Sequence, residues 1–306
     1  MRQCPFRNVL PAITTPLRAD DTVDHEFLAR HARWQLDEGC AGLIPLGSLG
    51  EGAVLDFDEK VAILKTLVAV ASDKPVLPGI AATSTRSAVA LARAAAKAGC
   101  RGLMVLPAYV HQGDLREVRA HVEAVITATD LPCMLYNNPR AYGTDFTPPF
   151  ISELAAANPN LVAVKDSSGD ARRVTAIKML AGDRLEVLVG LDDMVLEGVA
   201  AGAVGWVAGL VNAFPRESVV LFDLARDRKL AEAEALYRWF LPLLRLDTVP
   251  EFVQLIKLVQ QQVGQGHERV RRPRQPVQGA LRETTLAVIE KALAQRPKVA
   301  AAKAGS

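Results

Sequence analysis

Four side chains of this sequence belong to the types that can build a carbonyl-addition site without a metal: Lys165, Tyr136, Ser48 and Tyr109. Lys165 interrupts the stretch LVAVKDSSGD at 161–170. An unbroken apolar, mostly β-branched run bounded by turn residues reads as a strand buried on both faces, as in a parallel sheet. A lysine at the end of such a strand loses its water, and desolvation lowers its pKa from about 10.4 toward neutrality. The neutral amine that results is a nucleophile able to condense with a carbonyl as a Schiff base. Taken alone, the stretch fits equally a strand-end lysine whose ammonium stays in solvent.

Schiff-base chemistry needs two further parts, a proton shuttle and a pocket for the substrate's fixed anion. Tyr136 closes the apolar run CMLY, and a phenol near an iminium can both give and take a proton. Ser48 can pass that proton on. The Gly-Ser-Leu-Gly turn at 47–50 lets backbone N–H groups converge on a carboxylate. Each residue also has a plainer reading: Tyr136 as a strand-end aromatic, Ser48 as a turn serine. Glu51 reads as a turn or helix-start group, Asp192 or Asp193 as a helix N-cap, and Trp206 as pocket wall or core. His25, His31, His111, His121 and His267 show no partner spacing and receive no chemistry. No cluster of His, Asp or Glu stands ready to hold a metal, and the sequence calls for no cofactor.

These residues need a scaffold that brings them to one face. Apolar strand patterns occur at 8–16, 41–47, 75–80, 102–107, 133–136, 161–165, 186–190 and 203–208. Helical patterns lie between them at 24–38, 58–71, 85–99, 114–128, 149–157, 172–180 and 192–201, with Asp24, Asp58 and the 83–85 threonine segment as starts. The alternation repeats every ~25–35 residues, the size of one βα unit. Residues 37–47 (DEGCAGLIPLG) echo 97–107 (KAGCRGLMVLP). The expected class is α/β, a (β/α)8 TIM barrel with a small C-terminal helical domain; a doubly wound open sheet is the alternative. We place the catalytic barrel at 1–228, the helical domain at 229–294 and a flexible tail at 295–306. The basic connector RVRRPRQP at 269–276 reads as a solvated loop.

Barrel chemistry sits where the strands end. Those ends offer the turn at 47–51, then Tyr109, Tyr136 and Asn138, Lys165 and Ser167, Gly190 with Asp192 and Asp193, and Gly205, Trp206 and Val207. Ser48, Asn138, Gly190 and Val207 are therefore substrate-binding candidates. A phosphate cradle built from Gly202, Gly205 and Gly209 is a competing site, and a catalytically silent sensor on the same scaffold is another reading.

Composition narrows the function classes. Half of the 306 residues are hydrophobic, 23% are charged, and the net charge is +2. That balance is ordinary for a globular protein and offers no electrostatic case for nucleic acid or anionic membrane. The N-terminal residues lack a signal peptide's apolar core, and no apolar run approaches the ~18 residues of a membrane span. Cys4, Cys40, Cys100 and Cys133 are scattered with no C-x-x-C, which points to a reducing cytoplasm rather than a disulfide or zinc framework.

With these residues in place, the chain resembles the dihydrodipicolinate synthase / N-acetylneuraminate lyase family over nearly its whole length. The resemblance rests on PAITTP at 11–16, GSLGE at 47–51, LPAY at 106–109, YNNP at 136–139, VKDSSGD at 164–170, VGLDD at 189–193 and GAVGWVAGLVNAFP at 202–215. It implies a barrel with a helical C-terminal domain, usually a tetramer built as a dimer of dimers, acting on 2-oxo acids through a class I Schiff base. By position, Lys165 is then the Schiff-base lysine and Tyr136 the relay tyrosine. Ser48 stands for a threonine of the relay, and Tyr109 for a tyrosine that reaches a neighbouring subunit's site. The backbone N–H groups of Ser48 and Leu49 hold the substrate carboxylate. Two positions depart from the synthases: Leu49 replaces a threonine, and Ala141 stands where an arginine binds the second substrate, with Arg140 one residue early.

GSLGE together with YNNPRAYGTDF looks more like the pyrroline-4-hydroxy-2-carboxylate deaminases of hydroxyproline breakdown, which form 2,5-dioxopentanoate and ammonia. In that chemistry Lys165 binds C2 as an iminium, Tyr136 helps remove a C3 proton, the C4 hydroxyl leaves and the nitrogen is lost by hydrolysis. The alternatives are 4-hydroxy-tetrahydrodipicolinate synthase and a 2-keto-3-deoxy sugar acid aldolase or dehydratase. In every case the expected partner is a small 2-oxo acid or imino acid.

Overall fold

The computed structural model describes residues 4–111 and 113–299. Seven strands form one sheet: β1 (Asn8–Pro11), β2 (Gly79–Ile80), β3 (Leu103–Val105), β4 (Cys133–Asn137), β5 (Leu161–Asp166), β6 (Glu186–Val189) and β7 (Gly205–Ala208). Their order is β1-β7-β6-β5-β4-β3-β2, every pair parallel. The gap between β1 and β2 is spanned by residues 41–45. Ala41 N–H donates to Val9 (2.9 Å) and Ile44 N–H to Pro11 (2.8 Å), while Leu77 N–H donates to Leu43 (2.8 Å) and Gly79 N–H to Pro45 (2.8 Å). The ring closes, so the fold is a (β/α)8 barrel and the open-sheet alternative falls away. Pro45, Pro75 and Pro78 have no N–H to give, which reduces the strands expected at 41–47 and 75–80 to short bridges and a two-residue ladder.

The helices are α1 (His25–Asp37), α2 (Phe57–Ala71), α3 (Thr85–Lys97), α4 (Leu115–Ile126), the single turn α5 (Pro139–Tyr142), α6 (Pro148–Ala157), α7 (Arg172–Ala181), α8 (Val195–Ala200) and α9 (Pro215–Arg226). After them come α10 (Leu230–Leu244), α11 (Phe252–Gln262) and α12 (Gly279–Ala294). Short polar side chains start the barrel helices: Asp24 accepts from Phe27 N–H (3.0 Å), Ser84 from Ser87 N–H (3.2 Å) and Asp114 from Glu117 N–H (2.9 Å). The helix expected to open at Asp58 starts at Phe57 instead. Asp56 is its N-cap, because Glu59 three positions on reaches back to the Asp56 N–H at 2.9 Å. None of the helices among the described residues is long and apolar enough to cross a membrane.

Leu10, Ile44, Leu77, Met104, Met134, Ala163, Leu188 and Val207 meet inside the barrel, whereas the helix-facing side chains form a separate outer core. Alternation along each parallel strand makes the two cores from one continuous apolar run. A buried polar network links the outer layer to α11: Asn212 accepts from Gln35 Nε2 (3.0 Å) and Thr14 Oγ1 donates to Gln260 (2.9 Å), around a buried His31. Burial brings the His31 pKa down to about 4, so the ring is a neutral structural partner.

The C-terminal helices are tied to the barrel by one buried ion pair. Glu51, left-handed at φ 56° and 1% exposed, bonds the Lys257 ammonium of α11, itself 1% exposed. Lys257 Nζ also donates to the carbonyls of Thr15 (2.8 Å) and Arg269 (2.7 Å), and the second Glu51 oxygen takes the Arg271 N–H at 2.9 Å. Glu51 is thus the structural turn residue expected from sequence. The basic connector at 269–276 is not simply solvated: Arg271 pairs with Glu59 at 2.6 Å and is pinned beneath the 47–51 turn. Of the expected tail, Arg296 bonds Glu217 (2.6 Å) and covers the Phe214 ring, while 300–306 lie outside the described residues. Lys257→Met leaves Glu51 charged and unpaired in the interior. We expect a loss of about 3–5 kcal/mol in urea unfolding; a loss below about 1 kcal/mol would show that the pair does not hold the turn.

Candidate active site

Tyr136 and Lys165 face each other across adjacent strands, as in-register partners of β4 and β5. With a side-chain period of two, both project into the barrel mouth while Asn137 and Asp166 project outward. The outward pair is itself bonded, Asn137 Nδ2 to Asp166 at 2.8 Å, and Ser168 Oγ donates to Asp166 at 2.6 Å. This second layer holds the loop that follows Lys165.

The Lys165 ammonium sits 4.1 Å above the centre of the Tyr136 ring. Lys165 is 6% exposed and Tyr136 5% exposed. Burial lowers the Lys165 pKa to about 8, and the carboxyl groups of Asp247 and Asp192 keep it from falling further. Gly190 is part of this arrangement: a Cβ there would lie 2.7 Å from Lys165 Cε and 2.1 Å from Ser167 Oγ. A glycine is what lets the lysine stem pass the end of β6.

The two acids were legible only in part. Asp192 caps no helix. It lies in a short turn after β6, fully buried, and accepts from Trp206 Nε1 (3.0 Å), Gly209 N–H (2.9 Å) and Leu210 N–H (2.7 Å). Burial raises its pKa to about 6 against those donors. Gly209 N–H is thereby occupied by a carboxylate, which removes the phosphate cradle read from Gly202, Gly205 and Gly209. Asp247, at the end of the turn Arg245–Asp247 after α10, was missed. Its carboxyl lies against Gly209, 2.5 Å from where a Cβ would stand; desolvation and the neighbouring Asp192 carboxyl hold its pKa well above the usual carboxylate range, with Lys165 opposing the rise. No sequence pattern places residue 247 beside residue 165; the path of α10 does.

Tyr136 Oη accepts from Asn138 Nδ2 at 3.0 Å, and Asn138 Oδ1 takes the Ala141 N–H at 3.1 Å, which starts α5. Burial pushes the Tyr136 phenol up to about 12, with Asn138 and Ser167 opposing the rise. The direct link expected between Tyr136 and Ser48 is absent. Ser48 Oγ instead bonds the hydroxyl of Tyr142, whose ring stands edge-on to Tyr136 at 5.8 Å and tilted to Tyr109 at 5.9 Å. Tyr142 was not identified from sequence because α5 is a single turn; the Asn-Pro pair at 138–139 was its only signal.

The remaining candidates divide. Leu49 is 3% exposed and its side chain packs into the outer core, so only its backbone can face substrate. Among the described residues, no acceptor takes the N–H groups of Ser48 or Leu49, which suits an anion-binding turn. Val207 fills the barrel interior beside Tyr136. Arg140 is exposed, its guanidinium near the Gly169 turn.

The lysine's environment has a direct readout. Reductive methylation with formaldehyde should label Lys165 with a rate that rises through about pH 8 and levels above it, because only the neutral amine reacts. Exposed lysines should rise near pH 10.4. A Lys165 midpoint near 10 in peptide mass mapping would contradict the burial.

Residues 5–292 match the model of the dihydrodipicolinate synthetase family. The 4-hydroxy-tetrahydrodipicolinate synthase of Methanothrix thermoacetophila is 33% identical over 249 residues, 80% of this chain and 84% of the relative. The enzyme of the same name from Pelobacter propionicus is 29% identical over 286 residues, covering 93% of this chain and 98% of its own. The solved structure of the 4-hydroxy-tetrahydrodipicolinate synthase from Methylacidiphilum fumariolicum superposes with a TM-score of 0.89 at 26% identity, over 94% of this chain and 97% of that one. On the match along nearly its full length, the chain belongs to the dihydrodipicolinate synthetase family.

Proposed function

We propose that this protein is a class I lyase in which Lys165 forms a Schiff base with a 2-oxo acid. The observation that carries this reading is the buried Lys165 amine, near neutrality and stacked 4.1 Å from the Tyr136 ring. The neutral amine adds to the C2 carbonyl, and the carbinolamine loses water to give an iminium. The substrate carboxylate rests on the N–H groups of Ser48 and Leu49. Loss of a C3 proton then gives an enamine, with Tyr136 as the group that moves the proton.

The names of the relatives favour 4-hydroxy-tetrahydrodipicolinate synthase, in which the enamine of pyruvate adds to aspartate semialdehyde. A second reading, 1-pyrroline-4-hydroxy-2-carboxylate deaminase, is favoured by Leu49, whose side chain turns away into the outer core where the synthases carry a hydroxyl. We further infer a homotetramer, arranged as a dimer of dimers and working in the cytoplasm. Sedimentation velocity should give four times the 32.9 kDa chain mass; a monomer or dimer across the working concentration range would refute the assembly.

Borohydride trapping with pyruvate should leave a reduced adduct on Lys165, and Lys165→Ala should abolish it. Tyr136→Phe should lower turnover by about 10²–10⁴-fold while the fold persists. Pyruvate consumption that depends on aspartate semialdehyde would choose the synthase. Ammonia release from pyrroline-4-hydroxy-2-carboxylate would choose the deaminase. Absence of any adduct with either compound would overturn the Schiff-base mechanism itself.

A further inference from the structure

An open cleft of about 530 Å³ lies on the outer layer of the fold, between the end of α1, the start of α9 and the chain that leaves α12. Its size is that of small-molecule sites. Trp34 comes from α1 and Glu38 from its C-cap, Arg216 and Glu217 from the first turn of α9, and Arg296 and Lys298 from the chain beyond α12. None of these residues belongs to the barrel mouth.

The cations of the cleft are accounted for. Arg216 grips Glu38 with two bonds, from Nε at 2.6 Å and from Nη2 at 2.9 Å. Arg296 Nε donates to Glu217 Oε1 at 2.6 Å, and its guanidinium lies 5.0 Å over the Phe214 ring. Lys298 is exposed, so solvent and salt screen its charge.

Glu217 is only half satisfied. The residue is 2% exposed, and its Oε2 is buried with no hydrogen-bond partner among the described residues. A buried carboxylate oxygen without a donor is costly, so it marks where a donor belongs, and a charged donor serves it best. Trp34 supplies an independent sign. It is half-buried in the same cleft, and its ring is steadied by the imidazole of His31 at 5.5 Å between centres. An indole beside an unmatched carboxylate oxygen suits an ammonium ion, which gives an N–H to the oxygen and its charge to the ring face.

We propose that this cleft binds a small organic ammonium group, which donates to Glu217 Oε2 and packs against Trp34. Its occupant bridges α1, α9 and the chain beyond α12. The site shares no residue with the surroundings of Lys165, so it stands whether or not the Schiff-base reading does.

The test is calorimetry at constant ionic strength on the full chain, with butylammonium, 5-aminopentanoate, butanol and butyrate as probes. The two ammonium compounds should bind, and the neutral and anionic ones should not. Glu217→Gln keeps the shape of the side chain and removes its charge; it should weaken both ammonium compounds at least about tenfold. Trp34→Leu should weaken them about twofold to fivefold. Tighter binding of 5-aminopentanoate assigns the natural ligand to the amino acids, with its anionic end toward Lys298; tighter binding of butylammonium assigns it to the free amines. Absence of binding by either ammonium compound, equal binding of butanol, or wild-type affinity in Glu217→Gln overturns the site. If Glu217→Gln does not fold, Trp34→Leu decides: a loss of affinity supports the site and an unchanged affinity refutes it.

Discussion

A lysine amine must be taken out of water at the end of β5 and yet remain able to shed its proton. Most of the mouth of this barrel follows from that constraint. The Tyr136 ring covers the ammonium from the neighbouring strand, and Gly190 leaves room for the stem. The carboxyl groups of Asp247 and Asp192 oppose the downward push of burial, so that the pKa of the amine settles at about 8. Asp192 can be buried there only because Trp206, Gly209 and Leu210 each donate to it. The acid that tempers the lysine is therefore supported by the strand end that follows it.

The C-terminal helices do more than cap the barrel. Through Lys257 and Glu51 they grip the 47–51 turn, and through Asp247 they bring a carboxyl whose charge acts on the lysine. The connector before α12 is stitched to the same glutamate. The proposed catalytic turn and the acid thus share one mechanical base. A buried ion pair is an expensive way to join two elements, but it permits only one register between them, which suits a site that needs fixed geometry.

Much of this was legible in the linear chain. The apolar runs, glycine stops and N-capping residues located seven of the eight βα strands' positions closely, and β5 ending at a lysine followed from pattern alone. Pairing of Lys165 with Tyr136 was legible as well, since both end a buried run on neighbouring units. What failed did so for stated reasons. Proline removed ladder donors from the second and third strands, and a capping box two residues earlier, at Asp56, displaced Asp58 as a helix start. Asp192 reads as a cap in the sequence because a buried carboxylate and a cap look alike until the donors Trp206, Gly209 and Leu210 are in place.

By itself, the order of residues determined the barrel, the lysine at a strand end, the tyrosine opposite it and the glycine-serine turn, because these depend on periodicity and local hydrogen bonding. Tertiary structure alone decided that Ser48 meets Tyr142 rather than Tyr136 and that the Asp247 carboxyl acts on Lys165. Each of those meetings joins segments far apart in the chain, as with Ser48 and Tyr142 at a separation of 94. Such distances carry no signal in local propensity; they are set by how closed helices and strands pack in three dimensions.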